Sequence, residues 1–358
     1  MSAKPTAITI AACIARLFGA FLLTAQTEAP VRQKPAQVYG VAFYNLENLF
    51  DTINNNGKYD LEFSPKGDRK WDGKKYWSKI HNMAYAISQL TTQTTPDGPA
   101  VIGVSEIENR SVLEDLVKAE PLRHRILRIV HHDSPDRRGV DVGLLYDPQY
   151  FRPINVTNHL LYIDSLPNFR TRDQMCVVGL LGPARVAVIV NHWPSRRGGT
   201  EQSSWLREAA ARLSRHIADS LHAIDPNMGI IVMGDLNDDP NNRSCAEVLG
   251  GAKNMKDAKP GQFYNPFWKK LDDGIGSYIY RSGWDLFDQI IVGYDFCAQG
   301  SNPLEFLAAK VWNDKPFLIQ QEGQYKGSPL RTFGSGVWMD GYSDHLPTEV
   351  FLKVRPRK

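Results

Sequence analysis

A chain of 358 residues, 42% of them hydrophobic and 23% charged, has the means to bury a sizeable core in one large or two medium domains. Its formal net charge of +3 drops to +1 once Lys4 and Arg16 leave with the first 25 residues, so the body lacks the basic footprint of a strong non-specific nucleic-acid binder. Cys176, Cys245 and Cys297 are too few and too scattered for a disulfide framework or a zinc site, which leaves them as small core residues.

The chain opens with Lys4 and an apolar stretch over residues 7–23, interrupted by Arg16 and ending in Leu23-Thr24-Ala25. Residues 1–25 therefore read as a signal peptide, and the product is expected in the periplasm or outside the cell. Cys13 follows Ile10-Ala11-Ala12, but the apolar segment runs on past it, which argues against lipidation. No later run approaches the roughly 20 apolar residues that a membrane span requires. Residues 26–37, with Pro30 and Pro35, read as a polar tether.

A first strand is expected over 38–43, running into Tyr44-Asn45-Leu46-Glu47-Asn48. Residues 52–72 read as loop. Asn54-Asn55-Asn56-Gly57 has the look of a calcium loop, but Thr52 and Phe63 stand where the acidic end ligands belong, so a turn is the better reading. Tyr76, Ile80, Met83, Ala84, Ile87 and Leu90 recur at helical spacing. A strand over 100–104 ends in Ser105-Glu106-Ile107, and Ser111-Val112-Leu113-Glu114 reads as a capping box that opens a helix. Further strands are expected over 126–130, 140–146, 157–162, 175–181 and 185–190, with a polar hairpin over 131–138. A helix over 203–223 turns Leu206, Ala209, Ala210, Leu213, Ile217 and Leu221 inward and stops at Pro226. Strands over 230–233, 285–292 and 348–354 complete the set, with irregular chain over 252–283 and a loop over 300–336. Strands outnumber helices and no repeat is present. The fold class is thus α+β or layered α/β, with sheet packed on sheet.

The short apolar run Ile230-Ile231-Val232-Met233 breaks at Gly234 and delivers Asp235 and Asn237, which point to one side of a strand end. The pattern recurs. Asn45 and Glu47, Glu106, Asn191 and His192, Asp288, and Asp344 and His345 all stand at predicted strand ends. Acceptor oxygens gathered from separate strands suit a hard cation such as Mg2+ beside a phosphate. Two histidines with spare carboxylates add acid and base roles near neutral pH.

In these motifs the chain resembles the endonuclease/exonuclease/phosphatase superfamily, that of pancreatic-type deoxyribonuclease, inositol polyphosphate 5-phosphatases and neutral sphingomyelinases. The resemblance runs from about Val38 to Val354 and keeps the family's order. It comprises Tyr44-Asn45-Leu46-Glu47-Asn48, Ser105-Glu106-Ile107 (where the family usually has Gln in place of Ser105), Gly139-Val140-Asp141-Val142-Gly143, Asn191-His192, Gly234-Asp235-Leu236-Asn237, Asp288 and Ser343-Asp344-His345.

The resemblance implies a four-layer α/β/β/α sandwich of two mainly antiparallel sheets with helices outside, with residues 38–358 as a single catalytic domain. It also implies hydrolysis of phosphoric esters with Mg2+ or Mn2+, with Ca2+ as a further candidate. Glu106 is the implied metal ligand, and Asn45 and Asp344 complete or hydrogen-bond the cation's water shell. His345 is expected to pair with Asp288 and His192 with Asp141. Asp235 orients or deprotonates water, or His345 takes the proton, and Asn237 donates to a phosphoryl oxygen. Asn191, Arg138, Arg196 and Arg197 are candidates to touch substrate, although arginines on such loops are often merely solvated. Asp238 and Asp239 read as turn residues. Trp193, Tyr264, Phe267 and Trp268 read as core rather than as base-stacking platforms.

The leading expectation is an exported monomeric nuclease acting on DNA or RNA. A phosphomonoesterase, a phospholipid-headgroup phosphodiesterase and, from another class, a catalytically silent binding module are the alternatives.

Overall fold

Val186, Val188 and Val190 alternate with Ala187 and Ile189, and all five are fully buried, which requires cover on both faces of their strand. Ile231 and Met233 alternate with Ile230 and Val232 in the same way. These two runs lie at the centre of the second of two large sheets.

The computed structural model describes residues 37–53, 62–280 and 283–356; the expected signal peptide, the tether up to residue 36 and the turn over 54–57 lie outside the described residues. The strands are β1 (Val38–Leu49), β2 (Val101–Ile107), β3 (Arg128–His131), β4 (Asp141–Tyr146), β5 (Phe151–His159), β6 (Gln174–Leu181), β7 (Ala184–His192) and β8 (Gly229–Asp235). They continue with β9 (Gly251–Ala252), β10 (Phe263–Tyr264), β11 (Tyr278–Tyr280), β12 (Gly283–Asp285), β13 (Asp288–Gly293), β14 (Leu304–Val311), β15 (Phe333–Gly334), β16 (Val337–Trp338) and β17 (Thr348–Val354). The helices are α1 (Gly73–Ser88), α2 (Arg110–Lys118), α3 (Thr200–Ile224) and α4 (Phe267–Asp272).

One sheet has the order β14-β17-β1-β2-β4-β3 and the other β5-β6-β7-β8-β13-β10-β9, with β11/β12 and β15/β16 as separate hairpins. Within the two sheets only β1/β2, β7/β8 and β9/β10 pair in parallel. Val186, Val188, Ile231 and Met233 share one core with Val41 and Phe43 of the first sheet. Gly103 lets the sheets close: a Cβ there would stand 2.9 Å from the Met233 sulfur. On the far side, Ala187, Ile189, Ile230 and Val232 pack with Ala210, Ala211, Ile217 and Ala218 of α3. A Cβ on Gly143 would meet Leu113 of α2 at 3.0 Å, which puts a helical layer outside the first sheet too. The result is a four-layer α/β/β/α sandwich. No helix among the described residues is long and apolar enough to cross a membrane.

Several local expectations change. Asn109, not a Ser111 box, caps α2: its Oδ1 accepts from Val112 N at 3.1 Å and from Ser111 Oγ at 2.7 Å. The segment expected as a loop over 300–336 contains β14, an edge strand whose bulge between Phe306 and Ala308 breaks the alternation a strand would show. β5 begins at Phe151 and tolerates Pro153 because it is an edge strand with a bulge between Pro153 and Asn155. The deepest face of α3 includes Ser203, Arg207 and Ser214, with Leu206, Ala209 and Leu213 only partly covered. Arg207 is buried because Asp238 lies 2.6 Å from its Nε, and Ser214 donates to Gln174 Oε1 at 2.8 Å.

Glu349 is fully buried on β17 and accepts from Trp312 Nε1 at 3.0 Å. Burial pushes its carboxyl from 4.5 up to about 8, with Trp312, Lys310 and Arg125 only partly offsetting it. The folded state therefore holds a proton there that the unfolded chain has released. This group's contribution to stability is fully present below pH 4.5, is lost as pH rises toward 8, and levels off above it. The ceiling on this loss is about 5 kcal/mol, and a value of roughly 2 kcal/mol or more is expected after relaxation. Glu349→Gln keeps the acceptor for Trp312, so chemical denaturation at pH 8 should find it more stable than wild type, with the difference gone near pH 4.5. Equal pH slopes in the two proteins would refute the assignment.

Candidate active site

Parallel pairing brings the C-terminal ends of β1, β2, β7 and β8 to one edge, and β13 and β17, running the other way, start there. Asp235 stands in register with His192 on one side and Asp288 on the other. Gly234 is required beneath it, because a Cβ would lie 2.2 Å from the Asn191 carbonyl oxygen. The close approach is thus made by backbone. Glu47, Asn48, Glu106 and Asn237 all have left-handed backbone (φ 47°, 50°, 59° and 51°), an unfavourable conformation for non-glycine residues. Register shifts at 45–49 and 105–107 coincide with three of them, so bulges aim these side chains. Strain collected at one strand edge marks a functional site.

Asp235 ties the two sheets together. Its Oδ2 accepts from Asn45 Nδ2 at 3.0 Å, and its Oδ1 accepts from Asn237 N at 3.0 Å. His192 Nε2 stands 3.5 Å and His345 Nε2 3.9 Å from the same Oδ2. His345 Nδ1 lies 2.7 Å from Asp288 Oδ2, which also accepts from Ser277 Oγ at 2.5 Å. The Tyr278 ring covers the imidazole, with centroids 4.7 Å apart. Glu106 accepts from Asn48 N at 3.0 Å and faces the Arg138 guanidinium at 3.2 Å and His192 Nε2 at 3.9 Å.

These positions set the two imidazoles apart. Burial, reinforced by Arg172, Arg138 and His345, drives His192 well below 6.5, so it is neutral. Burial would lower His345 as well, but Asp288 and Asp235 outweigh it and hold the ring well above 6.5, so it is cationic. Burial lifts Asp235 to about 6; His345 opposes the rise, and Asp288 and Glu106 add to it. For Glu106, burial works upward, but Arg138, His345 and Arg172 prevail and keep it below 4.5, fully ionised.

Three expected roles are corrected by contacts. Asp141 does not pair with His192: its oxygens are taken by Ser134 N at 2.8 Å, Ser134 Oγ at 2.6 Å and His131 Nε2 at 3.1 Å. His192 Nδ1 has no hydrogen-bond partner among the described residues. Asn191 is fully buried and serves the framework, donating to Ile189 O and Met233 O and accepting from Trp193 Nε1. Arg196 is consumed by Asn237 O, Asp239, Asn242 and Asp285, and lies 4.5 Å over the Phe287 ring, so it clamps the 235–239 turn rather than waiting for substrate. Arg197 is exposed. Asp238 and Asp239 are turn residues held by Ser244 and Leu286 N. Trp193 and Phe267 are core, and Tyr264 and Trp268 are partly covered.

Sequence reasoning missed Arg172, Ser277, Tyr278 and the buried pair Glu47–Lys79. Arg172 donates to His192 O at 3.1 Å and Trp193 O at 2.7 Å, fixing the turn after β7. Nothing in Thr171-Arg172-Asp173 distinguishes it from a solvated loop. Lys79 could have been found, since it lies between Tyr76 and Met83 on the apolar stripe of α1.

The oxygen-rich donor set fits a hard divalent cation. By resemblance Glu106 and Asp344 are the carboxylates that would hold it; Glu106 faces Arg138 at 3.2 Å, Asp344 lies 3.9 Å from His345 Nε2, and the Asn45 amide is engaged on Asp235. Among the described residues two groups of metal-competent atoms lie close together, His131, Asp133 and Asp141 in one and Asp235, Asp288 and His345 in the other.

A four-layer sandwich that gathers acid, amide and imidazole groups at one strand edge holds the groups that phosphoester hydrolysis uses. Over residues 40–354 the chain matches the Endonuclease/Exonuclease/phosphatase family, and it belongs to that family. Family members are divalent-metal-dependent hydrolases of phosphoester bonds. Among solved structures the chain is similar to TDP2 from C. elegans, at 13% identity over 88% of this chain and 75% of that one, with TM-score 0.54. It is also similar to endonuclease/exonuclease/phosphatase family proteins from Bacteroides thetaiotaomicron (15% identity, 89% and 95% covered, TM-score 0.52) and Bacteroides vulgatus (11%, 89% and 99%, 0.52). At these identities the likeness shows the fold alone. No curated protein matches the chain.

Proposed function

We propose that the chain is a metal-dependent phosphodiesterase that cleaves DNA or RNA outside the cytoplasm. The observation that carries the catalytic part is the placement of two imidazoles around Asp235, His192 Nε2 at 3.5 Å and His345 Nε2 at 3.9 Å, with His345 held on Asp288 at 2.7 Å; burial favours a neutral His192 and the two carboxylates a cationic His345. A buried carboxylate beside a fixed cation suits the alignment and deprotonation of a water, and the His345 cation faces the charge that builds on the phosphoryl oxygens. His192 Nε2, between Asp235 and Glu106, supplies a neutral donor. Asn237 keeps one amide hydrogen for a phosphoryl oxygen while the other binds Trp193 O at 3.1 Å. A divalent cation at Glu106 and Asp344, Mg2+ or Mn2+ in this reading, supplies further positive charge against the developing phosphorane.

The signal-like residues 1–25 support export, and an exported enzyme meets polynucleotides rather than genomic repair sites. The test is a panel of plasmid DNA, RNA, a nitrophenyl phosphodiester, inositol phosphates and sphingomyelin, with Mg2+ or Mn2+ and with EDTA. Cleavage of polynucleotide and nitrophenyl diester, abolished by EDTA, is expected. Intact nucleic acids beside a hydrolysed monoester would reject the nuclease and favour a phosphatase.

A further inference from the structure

Two cavities border the Arg137-Arg138 segment, one lined by Arg138 and the other by Arg137, and their charge differs. The first, lined by Asn48, Phe50, Glu62, Phe63, Arg69 and Arg138, is balanced: Arg69 pairs with Glu62 at 2.7 Å and Arg138 with Glu106 at 3.2 Å. The second is a cleft of about 370 Å³ lined by Arg137, Leu166, Pro167, Asn168, Phe169 and Arg170 among others, a size in the range of ligand sites. Among the described residues its two guanidinium groups bond only backbone oxygens. Arg137 donates to Asn168 O at 2.9 Å, and Arg170 donates to Pro167 O at 3.0 Å and Phe169 O at 2.8 Å. Such bonds orient an arginine without neutralising it, and no carboxylate among the described residues lines the cleft.

The cleft is anchored to the catalytic edge. Its walls are the segment carrying Asp136, Arg137 and Arg138 and the segment leading to Arg172. A buried Asp136–Arg172 ion pair at 3.2 Å pins them together. Arg172 also holds the His192 and Trp193 carbonyls, while Arg138, one residue beyond Arg137, holds Glu106. A phosphate in the cleft is therefore in fixed relation to His192 and Glu106.

We propose that this cleft is a subsite for a phosphate next to the scissile one, so that the enzyme takes a polynucleotide strand rather than a lone phosphate ester. The arginines bind the phosphodiester, and the Leu166, Pro167 and Phe169 surface packs against the attached sugar or base. The inference rests on the nuclease reading and sharpens it: an uncompensated cationic cleft beside the site has no use for a nitrophenyl diester, which carries one phosphate.

The experiment compares wild type with the Arg137→Ala/Arg170→Ala double variant on a single-stranded oligodeoxynucleotide and on the nitrophenyl diester. The oligonucleotide KM is expected to rise about tenfold, and its dependence on salt to become shallower by about one unit of log–log slope or more. Activity on the nitrophenyl diester should not change. An unchanged oligonucleotide KM and salt slope overturns the subsite, as does an equal loss on both substrates. Arginine-dependent binding of phosphatidylglycerol vesicles without oligonucleotide binding would assign the cleft to a membrane surface instead. If wild type hydrolyses neither substrate, the catalytic reading fails, and the cleft stands or falls on fluorescence anisotropy: the double variant must still bind labelled oligonucleotide more weakly than wild type.

Discussion

Asp235→Asn and His345→Gln are each expected to lower kcat on a nitrophenyl diester by about 10³- to 10⁴-fold while melting close to wild type. The substitutions are chosen for the contacts they keep. Asn at 235 retains an oxygen for the Asn237 amide, and Gln at 345 can still donate to Asp288, so no charge is left buried without a partner. Alanine at 345 would strand the fully buried Asp288 and confuse catalysis with folding. Because both groups act on one water and one phosphate, the double variant should fall little below the worse single variant. Near-native turnover in either single variant would sink the assignment of this edge as the active site.

That Asp235 lies in the site could be argued from the chain alone, because a buried strand must end where its apolar run ends, and Ile230–Met233 delivers it there. The same logic placed Asn45, Glu106, His192 and the residues before β17 at strand boundaries. Parallel and antiparallel pairing, which a single sequence does not state, then decided that all of them meet on one edge. What escaped was which partner each polar side chain takes once the chain is folded. Asp141 was assigned to His192 by resemblance, yet Ser134 and His131, only seven and ten residues away, reach it first. Arg196 sits on a glycine-containing loop next to the His192 motif and invites a substrate role. Only the folded chain reveals the ring of Asn237, Asp239, Asn242 and Asp285 that occupies it. Strand β14 was hidden because an edge strand with a bulge buries too little to impose a period-two pattern.

Lys79→Met is expected to destabilise the fold by about 3 to 5 kcal/mol, the cost of stranding one partner of a buried ion pair. Lys79 is fully buried on α1. Its ammonium lies 3.8 Å from Glu47 Oε2, donates to Thr332 Oγ1 at 2.6 Å and also donates to the Tyr342 carbonyl. Glu47 in turn accepts from Thr332 N at 2.7 Å and Thr332 Oγ1 at 2.8 Å. Burial, helped by Asp344, pushes the Glu47 carboxyl up to about 7, and Lys79 is the largest influence holding it down. Methionine has similar reach but no charge, so Glu47 must either stay ionised in a low-dielectric site or take up a proton, and the Tyr342 carbonyl loses its donor. Glu47 follows Asn45 by two residues, and Tyr342 precedes Asp344 by two, so the ammonium joins the two segments that carry these site residues. The Lys79→Met/Glu47→Gln double variant removes the stranded charge and leaves an acceptor for Thr332. In urea denaturation it should recover a substantial part of the lost stability. A single variant as stable as wild type, or a double variant worse than the sum of the two singles, would show that the ammonium is not what holds this corner of the site together.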